Sequence, residues 1–197
     1  MEKIDQFQDT RERILAVGES LIVGRGFTAL GLNEILTTAK VPKGSFYHYF
    51  QSKEGFGVAL LERYFLQYDD RLSQLFNDPD QTARDRILSY FQAWRAASVT
   101  LACHSGCLVV KLAAEVSDLS EPMRATLAQG MGRITAQLAG AIESAQSQGS
   151  VNPVLNPAQL AENLYSLWVG ASLVAKVQRQ AVPLDLALQQ TELMLSV

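Results

Sequence analysis

The chain has 197 residues, a net charge of −3 and a hydrophobic content of 48%, which is typical of a globular protein and excludes a largely disordered one. No apolar run is long enough to span a membrane, and the first residues lack the apolar core of a signal peptide. The chain has only two cysteines, four residues apart, which is not a disulfide framework. We therefore expect a cytoplasmic protein with no membrane attachment.

The first predicted element is an amphipathic helix over residues 10–23, where apolar side chains recur at helical spacing. Asp9 or Thr10 is expected to cap its N-terminus, because short polar side chains accept hydrogen bonds from the first free amides. Gly24 and Gly26 are expected to end it, since glycine readily adopts the left-handed conformation that is common at helix C-termini.

The next segment has the pattern of a helix-turn-helix. One helix is predicted over residues 32–39 and, after a short turn, a second over residues 42–50 that begins with a proline. In such a pair the second helix enters the major groove of DNA, while the first lies across the backbone. Phe27 is expected to fill a small core with Ile35 and Phe46, which completes a three-helix head.

The strongest indication of function lies in residues 40–53, which carry three lysines and several aromatic rings but no carboxylate. Such a positive patch suits docking on the DNA backbone even when the whole chain is acidic. A solvated lysine-rich loop would carry the same charge, but it would not need the aromatic residues. Phe46, Tyr49 and Phe50 are expected to face inward. The residues expected to contact or closely approach the duplex are Lys43, Gly44, Ser45, Tyr47, His48 and Lys53.

The rest of the chain predicts a helical bundle, because no segment shows sustained strand alternation. The predicted helices cover residues 52–76, 82–99, 105–115, 121–147, 157–180 and 183–195. The expected caps of four of them are Ser52, Thr82, Ser120 and Asn156. The predicted fold is therefore all-α, with a helix-turn-helix DNA-binding domain at residues 1–51 and a helical bundle at residues 52–197.

The helices predicted over residues 121–147 and 157–180 are expected to form a dimer interface. The second of them is rich in small residues, which let another helix approach closely. A single head reads only a few base pairs, whereas two heads on a twofold axis read a palindrome with half-sites about 34–36 Å apart, or a multiple of that. The alternative is that both helices belong to the internal core.

The N-terminal third of the chain resembles the TetR family of one-component transcriptional repressors. The resemblance rests on Gly26, Phe27, Leu32, Glu34, Ile35, Ala39, Val41, residues 43–50 and residues 52–54. It implies a TetR-like fold in which residues 1–51 bind a double-stranded DNA operator, while residues 52–197 sense a ligand and form a homodimer. The expected partner that releases the DNA is a small-molecule inducer or an electrophile.

Two positions depart from the family pattern. Leu30 and Gly31 stand where two hydroxyl-bearing residues usually cap the helix and touch phosphate, so this chain has no hydroxyl there. Lys40 stands where a glycine usually makes the turn. If that turn needs a positive φ, Lys40 is expected to carry strain of about 1 kcal/mol, unless the turn takes another shape. The alternative role for Lys40 is a contact between its charge and a DNA phosphate.

A second candidate site lies at the start of the helix predicted over residues 105–115. If Ser105 caps that helix, Cys107 lies in its first turn, where the helix dipole stabilises a thiolate and makes it reactive at neutral pH. A buried, inert cysteine packed beside Leu108 and Val109 explains the same residues, and the residues alone favour it.

A further resemblance favours the reactive thiol. Residues 42–50, 56–59, 105–121 and 167–176 are similar to the N-ethylmaleimide-reductase repressor (NemR) branch of the family. Members of that branch are released from DNA by electrophiles and oxidants that react with a cysteine. The resemblance implies that Cys107 is this regulatory cysteine and that Lys176 is its basic partner, although a lysine on an apolar helix also extends readily to the surface. Cys103 is an additional cysteine, and whether it is a resolving thiol stays open.

Two other functions compete with a cysteine-controlled repressor. A repressor induced by a reversible apolar ligand would bind it in the bundle core, among Phe91, Trp94, Met131, Tyr165 and Trp168. An enzyme that uses Cys107 and His104 is not expected, because a nucleophile and its base usually converge from separate elements. Cys103, His104 and Cys107 lack the spacing and the fourth ligand of a zinc site, so we expect neither a metal nor a cofactor.

Overall fold

The computed structural model describes residues 2–100 and 108–197, with side chains described over 10–99 and 108–197. Within these ranges it holds nine α-helices and no strand, which confirms the predicted all-α fold. The helices are α1 (Glu2–Arg25), α2 (Leu32–Ala39), α3 (Lys43–Phe50), α4 (Lys53–Phe76), α5 (Ala83–Thr100), α6 (Leu108–Val116), α7 (Glu121–Ser147), α8 (Pro157–Gln178) and α9 (Val182–Met194). Helices α1 to α3 form the predicted helix-turn-helix head.

The described chain divides into two compact units. The first unit holds the described residues up to Phe65 together with Lys111–Ala128, and the second unit holds the remaining described residues. Helices α4, α6 and α7 therefore each contribute to both units. The predicted domain boundary between residues 51 and 52 stays a prediction. The helix-turn-helix lies wholly within the first unit.

The core of the first unit is built around a cluster of phenylalanines. Phe46 and Phe50 of α3 and Phe56 of α4 are at most 4% exposed, and their ring centroids lie 5.1–5.5 Å apart. Ile14 of α1 and Ile35 of α2 are fully buried in the same unit. Burial of one such side chain stabilises a fold by about 1.5–3 kcal/mol. The apolar faces of these short helices therefore hold the head together.

Phe27 does not take the core position that its sequence context predicts. Phe27 is only half-buried. Its ring lies close to Gly57 of α4, and a Cβ added at Gly57 would lie 2.8 Å from Phe27 Cζ. Leu30, at 1% exposed, enters the core instead. Leu30, which replaces a hydroxyl-bearing residue of the family pattern, therefore contributes to the packing of the core. A hydroxyl-bearing side chain would bury less apolar surface at this position.

Helix α1 is longer than predicted, because it begins at Glu2 and not at a cap formed by Asp9 or Thr10. The segment before Thr10 contains neither glycine nor proline, so nothing in it interrupts the helix. At the other end Gly24 lies within the helix, whereas Gly26, with a φ of 91°, ends it as predicted.

The four helix caps predicted in the bundle are confirmed. Ser52 Oγ accepts a hydrogen bond from the Gly55 amide at 2.9 Å, and Ser120 Oγ accepts one from the Met123 amide at 3.3 Å. The other two predicted caps accept hydrogen bonds in the same way, from the amides of Asp85 and Gln159. Each bond satisfies one of the amides that a helix N-terminus leaves without a partner.

The core of the second unit contains all four aromatic residues proposed as a ligand site, Phe91, Trp94, Tyr165 and Trp168. Phe91 and Trp168 stack with ring centroids 5.0 Å apart, and Trp94 lies 5.8 Å from Trp168. The two indole N–H groups donate to Ser172 Oγ and Thr191 Oγ1 at 3.0 and 2.9 Å. These contacts link α5 to α8 and α8 to α9, and each indole N–H has a hydrogen-bond partner.

Candidate nucleic-acid interface

The turn between α2 and α3 is made by Lys40 in the left-handed conformation, with φ 54° and ψ 48°. Its amide donates to the Thr37 carbonyl at 3.2 Å, and the Val41 amide donates to the Leu36 carbonyl at 3.1 Å. These bonds close the end of α2 in the way a glycine would. The expected strain at Lys40 is therefore present, since a side chain in this region clashes with its own backbone.

Helix α3 presents one polar face to solvent and one aromatic face to the core. Lys43, Gly44, Tyr47 and His48 are exposed, at positions that share one side of a helix. Ser45 is half-exposed beside them. The DNA contacts of these residues stay a prediction, but each has a side chain or backbone that an incoming duplex can reach.

Two of the three residues of α3 that are predicted to face inward are buried. Phe46 and Phe50 are buried, whereas Tyr49 is half-exposed and not fully inward. Its neighbour His48 lies against it with ring centroids 5.1 Å apart. Tyr49 therefore borders the exposed face and contributes to both sides of the helix.

Gly44 has a property that sequence alone did not reveal. A Cβ built at this position meets nothing within 4 Å, so the packing of this chain does not require a glycine there. The neighbouring Lys43 ammonium lies 5.8 Å from the centre of the Tyr47 ring, which holds both side chains at the helix surface. The space over Gly44 is consistent with close approach of another molecule to the backbone of α3.

The start of α2 lacks a side-chain cap. Gly31 is the N-cap residue with an extended backbone, and its carbonyl accepts a hydrogen bond from the Glu34 amide at 3.1 Å. Glu34 is paired with Arg25 at 2.6 Å. This ion pair balances the single carboxylate of α2 and leaves the lysines of residues 40–53 as the dominant charge of the helix-turn-helix.

The junction between α3 and α4 is an unusually tight turn centred on Gln51, which has φ 60° and ψ −34°. The Ser52 amide donates to the Phe50 carbonyl at 2.6 Å, across only one intervening residue. Gly55 must lack a side chain here, because a Cβ would lie 2.3 Å from the Phe50 carbonyl oxygen. This turn fixes how α3 leaves the core and enters α4.

Lys53 is held by the head itself. Its ammonium donates to the Thr28 carbonyl at 3.2 Å and lies 4.9 Å from the centre of the Phe27 ring. Burial lowers the pKa of Lys53, while the Glu115 carboxylate acts in the opposite direction. The predicted phosphate contact stays a prediction. It would involve the same ammonium that donates to the turn between α1 and α2.

A carboxylate that sequence reasoning did not single out binds this same turn. Glu115 of α6 accepts hydrogen bonds from the amides of Phe27 and Thr28, at 3.0 and 2.6 Å. Burial acts to raise the pKa of Glu115, but these hydrogen bonds and the charge of Lys111 outweigh it and leave the pKa below its usual value. No local pattern marks such a residue, because its partners lie far away along the chain.

The predicted regulatory residues are only partly within the described chain. Cys103, His104, Ser105 and Cys107 lie outside the described residues. Lys176 is exposed in the last turn of α8, so its predicted partnership with Cys107 stays a prediction. Leu108 and Val109, which begin α6, are buried.

Two further observations concern the described residues alone. They contain no group of three or more His, Cys, Asp and Glu side chains placed to hold a metal ion. Among the helices described, none combines the length and the apolar character needed to cross a bilayer.

The sequence matches two family descriptions. Residues 14–60 match "Bacterial regulatory proteins, tetR family", and residues 83–191 match "Tetracyclin repressor-like, C-terminal domain". The first match covers the helix-turn-helix and its exposed α3 face, and the second covers most of the bundle.

Several characterised proteins are similar over nearly the whole chain. The HTH-type transcriptional repressor NemR of Escherichia coli K12 is 49% identical over 91% of this chain and 90% of its own length. The repressor DhaR of a Mycobacterium species is 31% identical over 89% of this chain and 86% of its own. The crystal structure of reduced E. coli NemR superposes with a TM-score of 0.86 at 48% identity, covering 95% of this chain and 98% of that one. These relatives are transcriptional repressors and not enzymes.

Proposed function

Because this chain belongs to the TetR family of transcriptional repressors, we propose that it is a homodimer that binds a palindromic operator and leaves it when an electrophile or oxidant modifies Cys107. DNA binding and repression are the family's general activity. The operator contacts, the dimer surface and the mode of release are specific to the proposal.

The observation that carries the proposal is the exposed face of α3. Lys43, Tyr47 and His48 project from one side of a helix whose other side is anchored by buried phenylalanines. A lysine at this position neutralises phosphate or reaches a guanine edge, and tyrosine and histidine hydrogen-bond to phosphate or pack on a thymine methyl. The open backbone at Gly44 lets the groove come close.

The dimer surface is proposed on α8 and α9, which pack against each other. Each exposes large apolar side chains, namely Leu173, Val174 and Val177 of α8 and Val182, Leu186 and Leu193 of α9. Their spacing places those of each helix largely on one face. An apolar surface of this kind on a protein that must read a palindrome is best covered by the same surface of a second copy.

Helix α7, the other predicted partner in the dimer, has a different surface. Its exposed Gly132, Ala136 and Gly140 carry almost no apolar side-chain area, and a Cβ at either glycine would meet nothing within 4 Å. The predicted participation of α7 therefore stays a prediction and is not needed by the proposed α8–α9 surface.

Release through Cys107 is supported by the similarity to NemR, which has been crystallised in a form described as reduced. Cys107 directly precedes Leu108, the first described residue of α6. A change at this thiol would therefore act next to a helix that binds the turn of the head through Glu115. The alternative, induction by a reversible apolar ligand, needs the packed rings of Phe91 and Trp168 to move apart.

The proposal is tested by an electrophoretic mobility shift on the DNA upstream of the protein's own gene. Methylglyoxal or a quinone is expected to release wild-type protein, whereas Cys107→Ser protein stays bound. Cys103→Ser, which changes the other cysteine in the same way, separates the contributions of the two thiols. Release of Cys107→Ser protein at the wild-type electrophile concentration would contradict thiol control and favour a reversible ligand.

A further inference from the structure

The connection between α6 and the head is built from groups of opposite charge one helical turn apart. Glu115 accepts from two consecutive amides, those of Phe27 and Thr28, one on each carboxylate oxygen. Lys111, four residues earlier on α6, donates to the Val23 carbonyl near the C-terminus of α1. We refer to these two contacts of α6 as the α6 anchor.

The anchor matches the electrostatics of the backbone that it holds. The end of α1 presents carbonyls that favour a cation, and the turn that follows presents amides that favour an anion. Lys111 and Glu115 supply these charges in that order along α6. Hydrogen bonds to ionised groups are stronger than those between neutral groups, so both contacts resist displacement.

The turn itself is shaped around the carboxylate. Gly26 has a φ of 91°, and a Cβ at this position would lie 2.8 Å from Glu115 Oε2. Lys53 closes the other side, with its ammonium 3.2 Å from the Thr28 carbonyl oxygen. The head therefore offers Glu115 a fitted site, and α6 cannot move along or about its axis without breaking it.

We propose that Glu115 is a positioning residue that transmits changes at the start of α6 to the helix-turn-helix, through its two hydrogen bonds to the turn between α1 and α2. This inference rests on the proposed release through Cys107 and assigns the group that carries the change to the head. Coupling between two sites requires an element whose arrangement both of them bias. Helix α6 is that element, because its first described residue follows Cys107 and its last turn carries Glu115.

The inference predicts that Glu115→Gln weakens the response to an electrophile. Glutamine has nearly the same shape, but it carries no charge and its amide nitrogen cannot accept the second hydrogen bond. The quantity measured is the ratio of the operator Kd after and before treatment with methylglyoxal. This ratio is expected to be at least about fivefold smaller in Glu115→Gln than in wild type, a change at the lower end of typical couplings.

Glu62→Gln is the matched control, because Glu62 is an exposed carboxylate on α4 in the same unit. Its Kd ratio is expected to equal that of the wild type. Mass spectrometry must show equal modification of the thiol in all three proteins. Lys111→Met removes the other contact of the anchor and is expected to change the ratio in the same direction, which guards against a folding defect specific to Glu115→Gln.

A purely structural role has a different outcome. Loss of stability alone would weaken operator binding equally before and after treatment, so an unchanged ratio in both anchor variants would overturn the inference. If wild-type protein itself shows no response, the proposed release through Cys107 fails, and the inference falls with it. Hydrogen exchange at the amides of Phe27 and Thr28 gives an independent measurement, since electrophile treatment of wild-type protein is expected to accelerate it and unchanged exchange would also overturn the inference.

Discussion

At the scale of single residues, the helix-turn-helix depends on a few positions with unusual backbone or hydrogen-bond geometry. Lys40 occupies the left-handed region, Gln51 forms the centre of a tight turn, and Glu115 fills a site made of two amides. Lys40 and Gln51 end α2 and α3, and Glu115 holds the turn that precedes α2. The orientation of α3 is therefore determined at its ends as well as by its buried face.

Lys40→Gly is expected to raise the free energy of unfolding by about 0.5 kcal/mol. The relief of roughly 1 kcal/mol of left-handed strain outweighs the greater backbone freedom of glycine in the unfolded chain. Chemical denaturation of wild type and variant measures the difference. Lys40→Ala removes the same charge but keeps a Cβ, so it is expected to give no gain; an equal gain in both variants would assign the effect to charge.

Glu115 is expected to make stability depend on pH in the acidic range. Burial acts to raise the pKa of Glu115. The hydrogen bonds from Thr28 and Phe27 and the charge of Lys111 lower this pKa by more than burial raises it, so the folded-state pKa lies below the unfolded value. The resulting stabilisation is complete above the unfolded pKa of about 4.3 and is lost as the pH falls through the folded pKa.

The measurement is the difference in unfolding free energy between wild type and Glu115→Gln, determined from about pH 7 to about pH 3. The difference is expected to stay constant down to about pH 5 and to shrink below it. Glu162→Gln changes an exposed carboxylate of α8 and serves as the control, with no expected difference at any pH. A Glu115→Gln difference that grows on acidification would contradict the assigned hydrogen bonds.

At the scale of elements, the helices and their caps could be predicted because their signals are local. The sequence predicts a helix over residues 32–39, and the structure has one with the same bounds. Ser52, Ser120 and Asn156 cap the helices that follow them. These features depend on residues within one or two turns of each other.

Other features could not be predicted, because they depend on residues that are distant in sequence or on the absence of a signal. Glu115 binds amides that lie 87 and 88 residues away along the chain, and the sequence around Glu115 does not indicate that contact. The sequence shows that Leu30 departs from the family pattern, but only the packing shows that this side chain is buried in the core. The start of α1 is not predictable from a local signal, because a residue suited to cap a helix, Thr10, lies within a helix that continues to Glu2.

The exposed face of α3 carries a testable electrostatic role. Lys43→Ala is expected to weaken operator binding and to reduce the slope of log Kd against log salt by about 0.9, the value for the loss of one phosphate contact. Fluorescence anisotropy at several salt concentrations measures the slope. Arg71→Ala removes an exposed cation of α4 in the second unit and is expected to leave it unchanged. An unchanged slope for Lys43→Ala would exclude a phosphate contact by Lys43.

At the scale of the whole molecule, the proposed palindromic operator would require two copies of the chain to hold their α3 helices in register with its two half-sites. The apolar faces of α8 and α9 offer a surface for this association, and the indole of Trp168 on α8 is bonded to Thr191 on α9. Because that bond and the packed rings around it hold the two helices together, they present one combined surface to a partner.

Leu186→Glu is expected to convert the dimer to a monomer, because it places a carboxylate in an apolar contact where it would lose its hydration. Light scattering after size-exclusion chromatography measures the mass. Leu66→Glu introduces the same charge at an exposed leucine of α4 and is expected to leave the dimer intact. If Leu186→Glu protein stays dimeric, the association surface lies elsewhere.

The first unit is discontinuous in sequence, since α5 and its flanking residues separate its two stretches. During synthesis the helix-turn-helix therefore leaves the ribosome long before the glutamate that secures its first turn. Until α6 has emerged, the amides of Phe27 and Thr28 lack their partner Glu115. A nascent chain that stops within α5 would thus contain the helix-turn-helix but not Glu115, the residue that binds its first turn.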